Sequence, residues 1–172
     1  VLWNALLRGD IDIYPEYTGT ISQEILSGTE SDNISAALKT RGISMSKPLG
    51  FNNTYALGMR AENAAKRGAE TISDLQQLSD LRFGFSNEFM DRGDGWPSLK
   101  ERYRLSPLDV RGLSHDLAYR GLASGTIDVT DLYSTDAEIQ YYKLRVLRDD
   151  LRHFPEYHGI LLYRSDLLAR AP

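Results

Sequence analysis

Strand-like and helix-like hydrophobic patterns alternate along this chain, and that alternation restricts its fold more than any other feature. The first residues carry apolar side chains at helical spacing up to Gly9, after which Ile11 and Ile13 alternate as in a strand. Further strand-like segments follow between helical ones: TYALGMR, LRFGFS, LDVRGL, IDVTDLY, KLRVLR and HGILLYR. Strands separated by helices are typical of βαβ units, so we predict an α/β fold with a largely parallel sheet.

Two segments of the chain resemble each other. GDIDIYPEYTGT, from Gly9 to Thr20, and GTIDVTDLYST, from Gly125 to Thr135, share Gly-x-Ile-Asp followed by a tyrosine and a hydroxyl residue. Tyr17 and Tyr133 therefore follow the carboxyl ends of two predicted strands, which is where open α/β sheets bind ligands. The repeat predicts a ligand contacted from two sides. Half-buried rim aromatics, a common feature of strand ends, are an equally weighted alternative.

Helix boundaries can be predicted at several places. Thr20 and Gln23 have the spacing of a capping box, which predicts a helix that starts at Thr20 and ends near Gly28. A second helix is expected from about Asn33 to Arg41. Proline is favoured at the first position of a helix, so a further helix is expected from Pro97 to about Tyr103.

Length and composition exclude several classes of protein. A chain of 172 residues with 41% hydrophobic content can bury a core, as one domain or two small lobes. The net charge is −4 and no basic patch is visible, so no nucleic-acid partner is expected. The absence of cysteine excludes disulfides and thiolate chemistry. No apolar run approaches the roughly 20 residues of a membrane-spanning helix.

Five motifs, in this order, resemble the substrate-binding proteins of bacterial ABC importers for glycine betaine, choline and related quaternary ammonium compounds. They are IDIYPEYTGT, GFNNTYALGMR, NEFMDRGDGWPSL, IDVTDLYSTDAEI and RHFPEYHGILLYR, and they cover nearly the whole chain. The resemblance implies a type II, two-lobed periplasmic-binding-protein fold, with the ligand in a cage of tyrosines between the lobes. The sequence DRGDGW further resembles that of family members in which the binding protein is fused to the membrane permease.

The resemblance also implies which residues bind the ligand. By motif position, the cage tyrosines are Tyr17, Tyr55, Tyr133 and Tyr157. Thr20 matches a hydroxyl that contacts the polar end of the ligand, and Arg92 matches a carboxylate-binding arginine of some members. No cofactor and no metal are implied.

The chemistry of such a ligand is consistent with tyrosine. A quaternary ammonium group has no N–H to donate, and its methyl groups need an apolar surface. An aromatic face provides that surface and also attracts the positive charge, and each such contact stabilises the complex by about 0.5 to 2 kcal/mol. The chain has ten tyrosines against two tryptophans and five phenylalanines. The tyrosines outside the implied cage are expected to be structural: Tyr14, Tyr103, Tyr119, Tyr141, Tyr142 and Tyr163.

The resemblance implies a division into lobes. Residues 1–53 form the first part of lobe one, residues 54–131 form lobe two, and residues 132–172 return to lobe one. The crossings, and with them a hinge, are therefore expected near Thr54 and Asp131. Because the chain begins within a helical pattern and ends on one just begun, we expect a piece truncated at both ends, with lobe one in two parts.

Other residues have the types, but not the arrangement, of enzyme or metal sites. Ser114, His115 and Asp116 are adjacent, so they cannot form the linear relay of a hydrolase triad. His153 and His158 lack metal-ligand spacing. A glycosidase-like carboxylate pair is conceivable among acids that more often cap helices or stay solvated: Asp131, Asp136, Asp149 and Asp150.

The prediction from sequence is a solute-binding domain and not an enzyme. It is expected to deliver a quaternary ammonium osmolyte to an ABC permease, fused or separate, and through it to depend on an ATPase. It would lie in the periplasm or at the outer face of the inner membrane, reaching the membrane only through the permease. Ergothioneine and carnitine are alternative ligands. An α/β enzyme for a small cationic substrate is the alternative of another class, since fold alone does not decide function.

Overall fold

The computed structural model describes residues 1–27 and 33–170. The chain forms two compact units, of which unit one is Val1–Asn53 with Glu156–Pro172 and unit two is Thr54–Pro155. In the described part of the chain, no helix is both long and apolar enough to cross a membrane. Each unit is described below by itself.

Helices and strands alternate in both units. In chain order they are α1 (Leu2–Arg8), β1 (Ile13–Tyr17), α2 (Thr18–Thr20) with a π-helical turn (Ile21–Ile25), α3 (Ile34–Lys39), β2 (Ile43–Met45), β3 (Tyr55–Arg60), α4 (Ala61–Arg67), a 3₁₀ helix (Ser73–Gln77), β4 (Arg82–Ser86), α5 (Asn87–Asp91), α6 (Trp96–Tyr103), β5 (Asp109–Leu113), α7 (His115–Ser124), β6 (Thr130–Tyr133), α8 (Glu138–Tyr141), β7 (Leu144–Leu147), β8 (Gly159–Arg164) and α9 (Leu167–Arg170).

Unit one is built on a three-stranded sheet in which β8 lies between β1 and β2 and runs antiparallel to both. The helices α1 and α3 contribute apolar side chains to one core, which also includes Tyr14 of β1. The helix α1 ends at Gly9, whose φ of 80° is left-handed, and α7 of unit two ends in the same way at Gly125, with a φ of 73°. Both glycine helix ends predicted from the repeated segments are confirmed.

Unit two contains an antiparallel sheet, with β3 between β6 and β7, and a parallel pair, β4 and β5. A single parallel bridge, from Phe83 to Val129, joins β4 to the segment that enters β6. The expectation of a largely parallel sheet is therefore wrong. The parallel pair β4 and β5 is connected by α5 and α6, which bring the chain back so that β5 runs in the same direction as β4. The strands that pair with β1 and β3 run in the opposite direction, so those pairs are antiparallel.

The expected capping box at Thr20 does not form. The helix already begins at Thr18, directly after β1, and Thr20 lies within it with no side-chain capping bond. The predicted end near Gly28 lies outside the described residues. Pro97 is in the first turn of a helix as expected, although that helix begins one residue earlier, at Trp96.

The two units divide the chain differently from the lobes expected from sequence. The first crossing coincides with the expected one, because unit two starts at Thr54. The second falls between Pro155 and Glu156, not near Asp131. Residues 132–155 stay in unit two because β6 and β7 pair with the two edges of β3.

Candidate ligand-binding residues

Unit two brings Tyr55 and Tyr133 into direct contact. The first lies at the start of β3 and the second at the end of β6, and the antiparallel register places them opposite each other. Their ring centroids are 4.9 Å apart with the planes tilted by 44°, and their hydroxyl oxygens are 3.3 Å apart. Tyr55 is buried and Tyr133 is partly exposed. Two predicted cage tyrosines therefore form one aromatic pair.

A carboxylate lies at the end of this tyrosine pair. The hydroxyl of Tyr55 donates to Oε1 of Glu88 at 3.3 Å, and the Glu88 side chain is 59% exposed. Burial raises the pKa of Tyr55 and of Tyr133, so both hydroxyls stay protonated at neutral pH. Glu88 was not a predicted site residue. Its position in the first turn after a strand, within the motif NEFMDRGDG, was the available signal.

The guanidinium of Arg92 lies over the ring of Tyr55, with Cζ 5.3 Å from the ring centroid. Its Nε donates to Oδ1 of Asp94 at 2.8 Å and one Nη donates to Oδ2 at 3.2 Å. Both side chains are largely buried, with 12% of Arg92 and 5% of Asp94 exposed. Such a two-point, charge-assisted pair fixes the plane of the guanidinium. The predicted carboxylate-binding arginine is thus close to the tyrosine pair and already holds a protein carboxylate.

Two phenylalanines also lie beside Tyr55. The ring centroid of Phe89 is 5.4 Å away and that of Phe154 is 6.2 Å away. The backbone N–H of Phe154 donates to Oδ2 of Asp149 at 2.8 Å, and the buried hydroxyl of Tyr103 donates to Oδ1 of the same residue at 2.5 Å. Both phenylalanines lie in the quoted motifs, but apolar type alone gave no reason to separate them from the core.

The helix that carries Glu88 and Phe89 is anchored by a buried acid. Oδ1 and Oδ2 of Asp131 accept from the backbone N–H and the hydroxyl of Ser86, both at 2.6 Å. The Ser86 hydroxyl oxygen in turn accepts from the N–H of Phe89 at 3.2 Å, which makes Ser86 the N-cap of α5. Burial raises the pKa of the Asp131 carboxyl, and the two bonds from Ser86 oppose that rise.

Removal of this anchor is expected to destabilise unit two. In Asp131→Ala the N–H of Ser86 would lose its buried partner, which should lower the free energy of unfolding by about 1 to 3 kcal/mol. Asp80→Ala is the control, because Asp80 is an exposed acid paired with Arg67 and its loss should move the unfolding midpoint little. Urea titrations of both variants measure the difference. Equal midpoints would contradict a structural role for Asp131.

Unit one holds the other predicted tyrosines. Tyr17 is the last residue of β1, is half-buried and meets the ring of Phe51 edge-on, with centroids 6.2 Å apart. Nδ2 of Asn53 donates to its hydroxyl oxygen at 3.5 Å. The aromatic pair in this unit is thus Tyr17 with Phe51, a residue not predicted from sequence.

Tyr157 packs directly on the backbone of α2. A Cβ built on Gly19 would come within 2.6 Å of the Tyr157 ring, so the glycine of the motif YTGT is required for this contact. The backbone N–H of Tyr157 donates to Oδ1 of Asn52 at 2.7 Å, and the side chain is buried. Thr20 follows Gly19 in the same helix and is half-buried. Three predicted residues of unit one therefore lie on or against the β1–α2 junction.

Comparison with known proteins gives consistent results. The family model OpuAC, the substrate binding domain of the ABC-type glycine betaine transport system, matches residues 1–172. The chain is 34% identical to the ergothioneine transport permease/ergothioneine binding protein EgtU of Helicobacter pylori, over 98% of this chain and 32% of that protein. It is 31% identical to the glycine-betaine-binding protein of Pseudomonas aeruginosa, over 95% of this chain and 59% of that protein.

A solved structure gives the same likeness in three dimensions. The crystal structure of a glycine betaine/carnitine/choline ABC transporter matches with a TM-score of 0.79 at 34% identity, over 99% of this chain and 66% of that one. The expected type II periplasmic-binding-protein fold is thereby confirmed. The chain spans less than two thirds of the length of each of these relatives.

Proposed function

We propose, because this chain belongs to the OpuAC family of substrate-binding domains of ABC-type glycine betaine transport systems, that it captures a small quaternary ammonium solute for import. The family is one of substrate-binding proteins and not of enzymes, and we propose no catalysis for this member. The observation that carries the proposal is the ring contact between Tyr55 and Tyr133, at 4.9 Å between centroids. Adjoining electron-rich rings suit a methylated cation that lies against both of them.

Four tyrosines are proposed to contact the ligand head: Tyr17, Tyr55, Tyr133 and Tyr157. Thr20 would contact the polar end of the ligand. Ring faces hold methyl groups by dispersion and spread positive charge by the ring quadrupole, without any need for an N–H donor on the ligand.

Arg92 is proposed to attract the anionic end of a betaine. Its guanidinium bonds Asp94 at two points, which orients it, and its Nη1 lies 3.5 Å from Oε1 of Glu88. A ligand carboxylate would therefore compete with Glu88 for an oriented guanidinium. The same guanidinium lies over Tyr55, and its fixed plane holds that ring in place. We therefore propose two roles for Arg92, one toward the ligand and one toward the aromatic pair.

Truncation of Tyr133 tests the proposal. Tyr133→Ala should weaken glycine betaine binding by about 1 to 2 kcal/mol, or roughly five- to thirtyfold, because one aromatic contact is lost. Tyr133→Phe should change affinity little, since the ring face remains. Tyr141→Ala is the matched control, because that tyrosine is 78% exposed. Calorimetric titration measures all three, and an unchanged affinity in Tyr133→Ala would reject the assignment.

Ergothioneine or carnitine is a second candidate ligand. The 34% identity to an ergothioneine permease/binding protein favours ergothioneine, and Glu88 beside the tyrosine pair offers an acceptor for a ligand that carries an N–H. A thermal-shift panel of glycine betaine, choline, carnitine and ergothioneine separates these candidates. The ligand that raises the melting temperature most at equal concentration is the preferred one.

The proposed partner is an ABC permease, and through it an ATPase. The relative from Helicobacter pylori combines permease and binding protein in one chain, so this domain could be joined to its permease or act beside it. Substrate-binding proteins of this family are extracytoplasmic, and we propose the periplasm or the outer face of the inner membrane. Co-purification with the permease encoded nearest in the genome would test the partnership.

A further inference from the structure

His115 lies against the more exposed tyrosine of the aromatic pair. Its ring centroid is 5.2 Å from that of Tyr133, with the planes tilted by 39°. It also meets Tyr119 edge-on, with centroids 5.1 Å apart. The His115 side chain is 32% exposed. A side chain that can carry a positive charge is thus in contact with a proposed ligand-binding ring.

Asp136 fixes both members of this contact. One oxygen, Oδ2, accepts from the backbone N–H of Tyr133 at 2.9 Å and from the hydroxyl of Tyr119 at 2.5 Å. Nε2 of His115 lies 3.2 Å from the same oxygen. A single carboxylate therefore holds the backbone of Tyr133 and the ring of His115. Asp136 is thus the acidic partner of His115, although Asp116 is its neighbour in the sequence.

We propose that His115 is a specificity-determining residue: when protonated, it places a positive charge beside Tyr133 and weakens the binding of cationic ligands. The proposal rests on the proposed function and deepens it, because it states how a positive charge on His115 changes the affinity for a cationic ligand. When the imidazole is neutral, the ring quadrupole of Tyr133 interacts with the cationic ligand alone. An imidazolium competes for that quadrupole and repels a second cation.

Other charges around His115 moderate the effect. The ionisable groups that contact His115 or act on it are Tyr119, Asp131, Tyr133 and Asp136, and Asp116 follows it in the chain. The charged side chains of Glu88 and Arg92 act on Tyr133 itself. The carboxylate of Asp136 neutralises part of an imidazolium charge. We therefore expect a loss of affinity of about three- to tenfold on protonation, and not the larger factor of an isolated charge.

The sign of the coupling follows directly. Because the bound cation disfavours the protonated ring, affinity should rise with pH, and binding should release a fraction of a proton wherever the ring is partly protonated. The effect should be larger for choline, which carries a net positive charge. It should be smaller for glycine betaine, whose carboxylate offsets the charge of its ammonium group.

Calorimetric titrations of choline and glycine betaine at about pH 8 and about pH 5.5 test the proposal. Three variants are compared with the unmodified chain. His115→Gln keeps a donor toward Asp136, and His115→Phe keeps the aromatic contact. His158→Gln removes a different imidazole, whose Nε2 lies 2.8 Å from Glu156, and so controls for general effects of histidine loss.

The unmodified chain and His158→Gln should bind choline about three- to tenfold more weakly at the lower pH, whereas both His115 variants should change less than about twofold. Titration in two buffers of different ionisation enthalpy should show proton release only when His115 is present. A pH-independent affinity in the unmodified chain, or an unchanged pH ratio in both His115 variants, would overturn the inference and leave the proposed function intact. Absence of choline and betaine binding at both pH values would instead reject the proposed function.

Discussion

Glycine betaine is expected to bind about 30- to 1000-fold more tightly than unmethylated glycine, with dimethylglycine between them. Three methyl groups in contact with aromatic faces contribute about 0.8 kcal/mol each, and each methyl removed restores an N–H that tyrosine faces cannot satisfy. The sum, about 2 to 4 kcal/mol, gives the stated range. Competition calorimetry with glycine betaine as the reference ligand measures the series.

The series separates the aromatic contacts from the contacts at the other end of the ligand. All three compounds carry the same carboxylate, so Arg92 and Thr20 contribute equally to each. Choline keeps the three methyl groups and lacks the carboxylate, which makes it the complementary control. If glycine binds as tightly as glycine betaine, the aromatic residues do not select the methylated head, and the assignment of Tyr55 and Tyr133 fails.

Local signals in the sequence predicted the features that depend on a single residue type. Glycine adopts the left-handed backbone conformation at a helix end without steric cost, and both Gly9 and Gly125 end helices in that conformation. Tyr55 and Tyr133 were each predicted as binding residues by motif position. Their contact was not predicted, because no local pattern shows that β3 and β6 place the two rings opposite each other.

Features that depend on distant residues were not predictable in this way. The pairing of Arg92 with Asp94 is close in sequence, yet an RGD string does not reveal that both side chains are buried. The bonds from Ser86 to Asp131 join residues 45 positions apart. The capping box failed because Thr18, two residues earlier, already starts the helix directly from β1. Strand direction and hydrogen-bond partners are decided by tertiary pairing, which outweighs local propensity.

Gly95→Ala is expected to lower the free energy of unfolding by about 3 kcal/mol and to weaken ligand binding with it. A Cβ on Gly95 would lie 2.0 Å from the backbone oxygen of Phe89, so the chain between α5 and α6 would have to move. That segment carries Arg92 and Asp94, and its displacement would disturb the guanidinium over Tyr55.

Gly93→Ala is the matched control within the same loop. A Cβ at Gly93 would have no heavy atom within 4 Å, and its backbone is not left-handed, so the free energy of unfolding should change by less than about 0.5 kcal/mol. Urea denaturation of both variants, followed by calorimetric titration with glycine betaine, measures stability and affinity together. Equal unfolding midpoints would show that the loop relaxes around the added methyl group. A destabilised Gly95→Ala with unchanged affinity would separate the fold of this loop from the proposed role of Arg92.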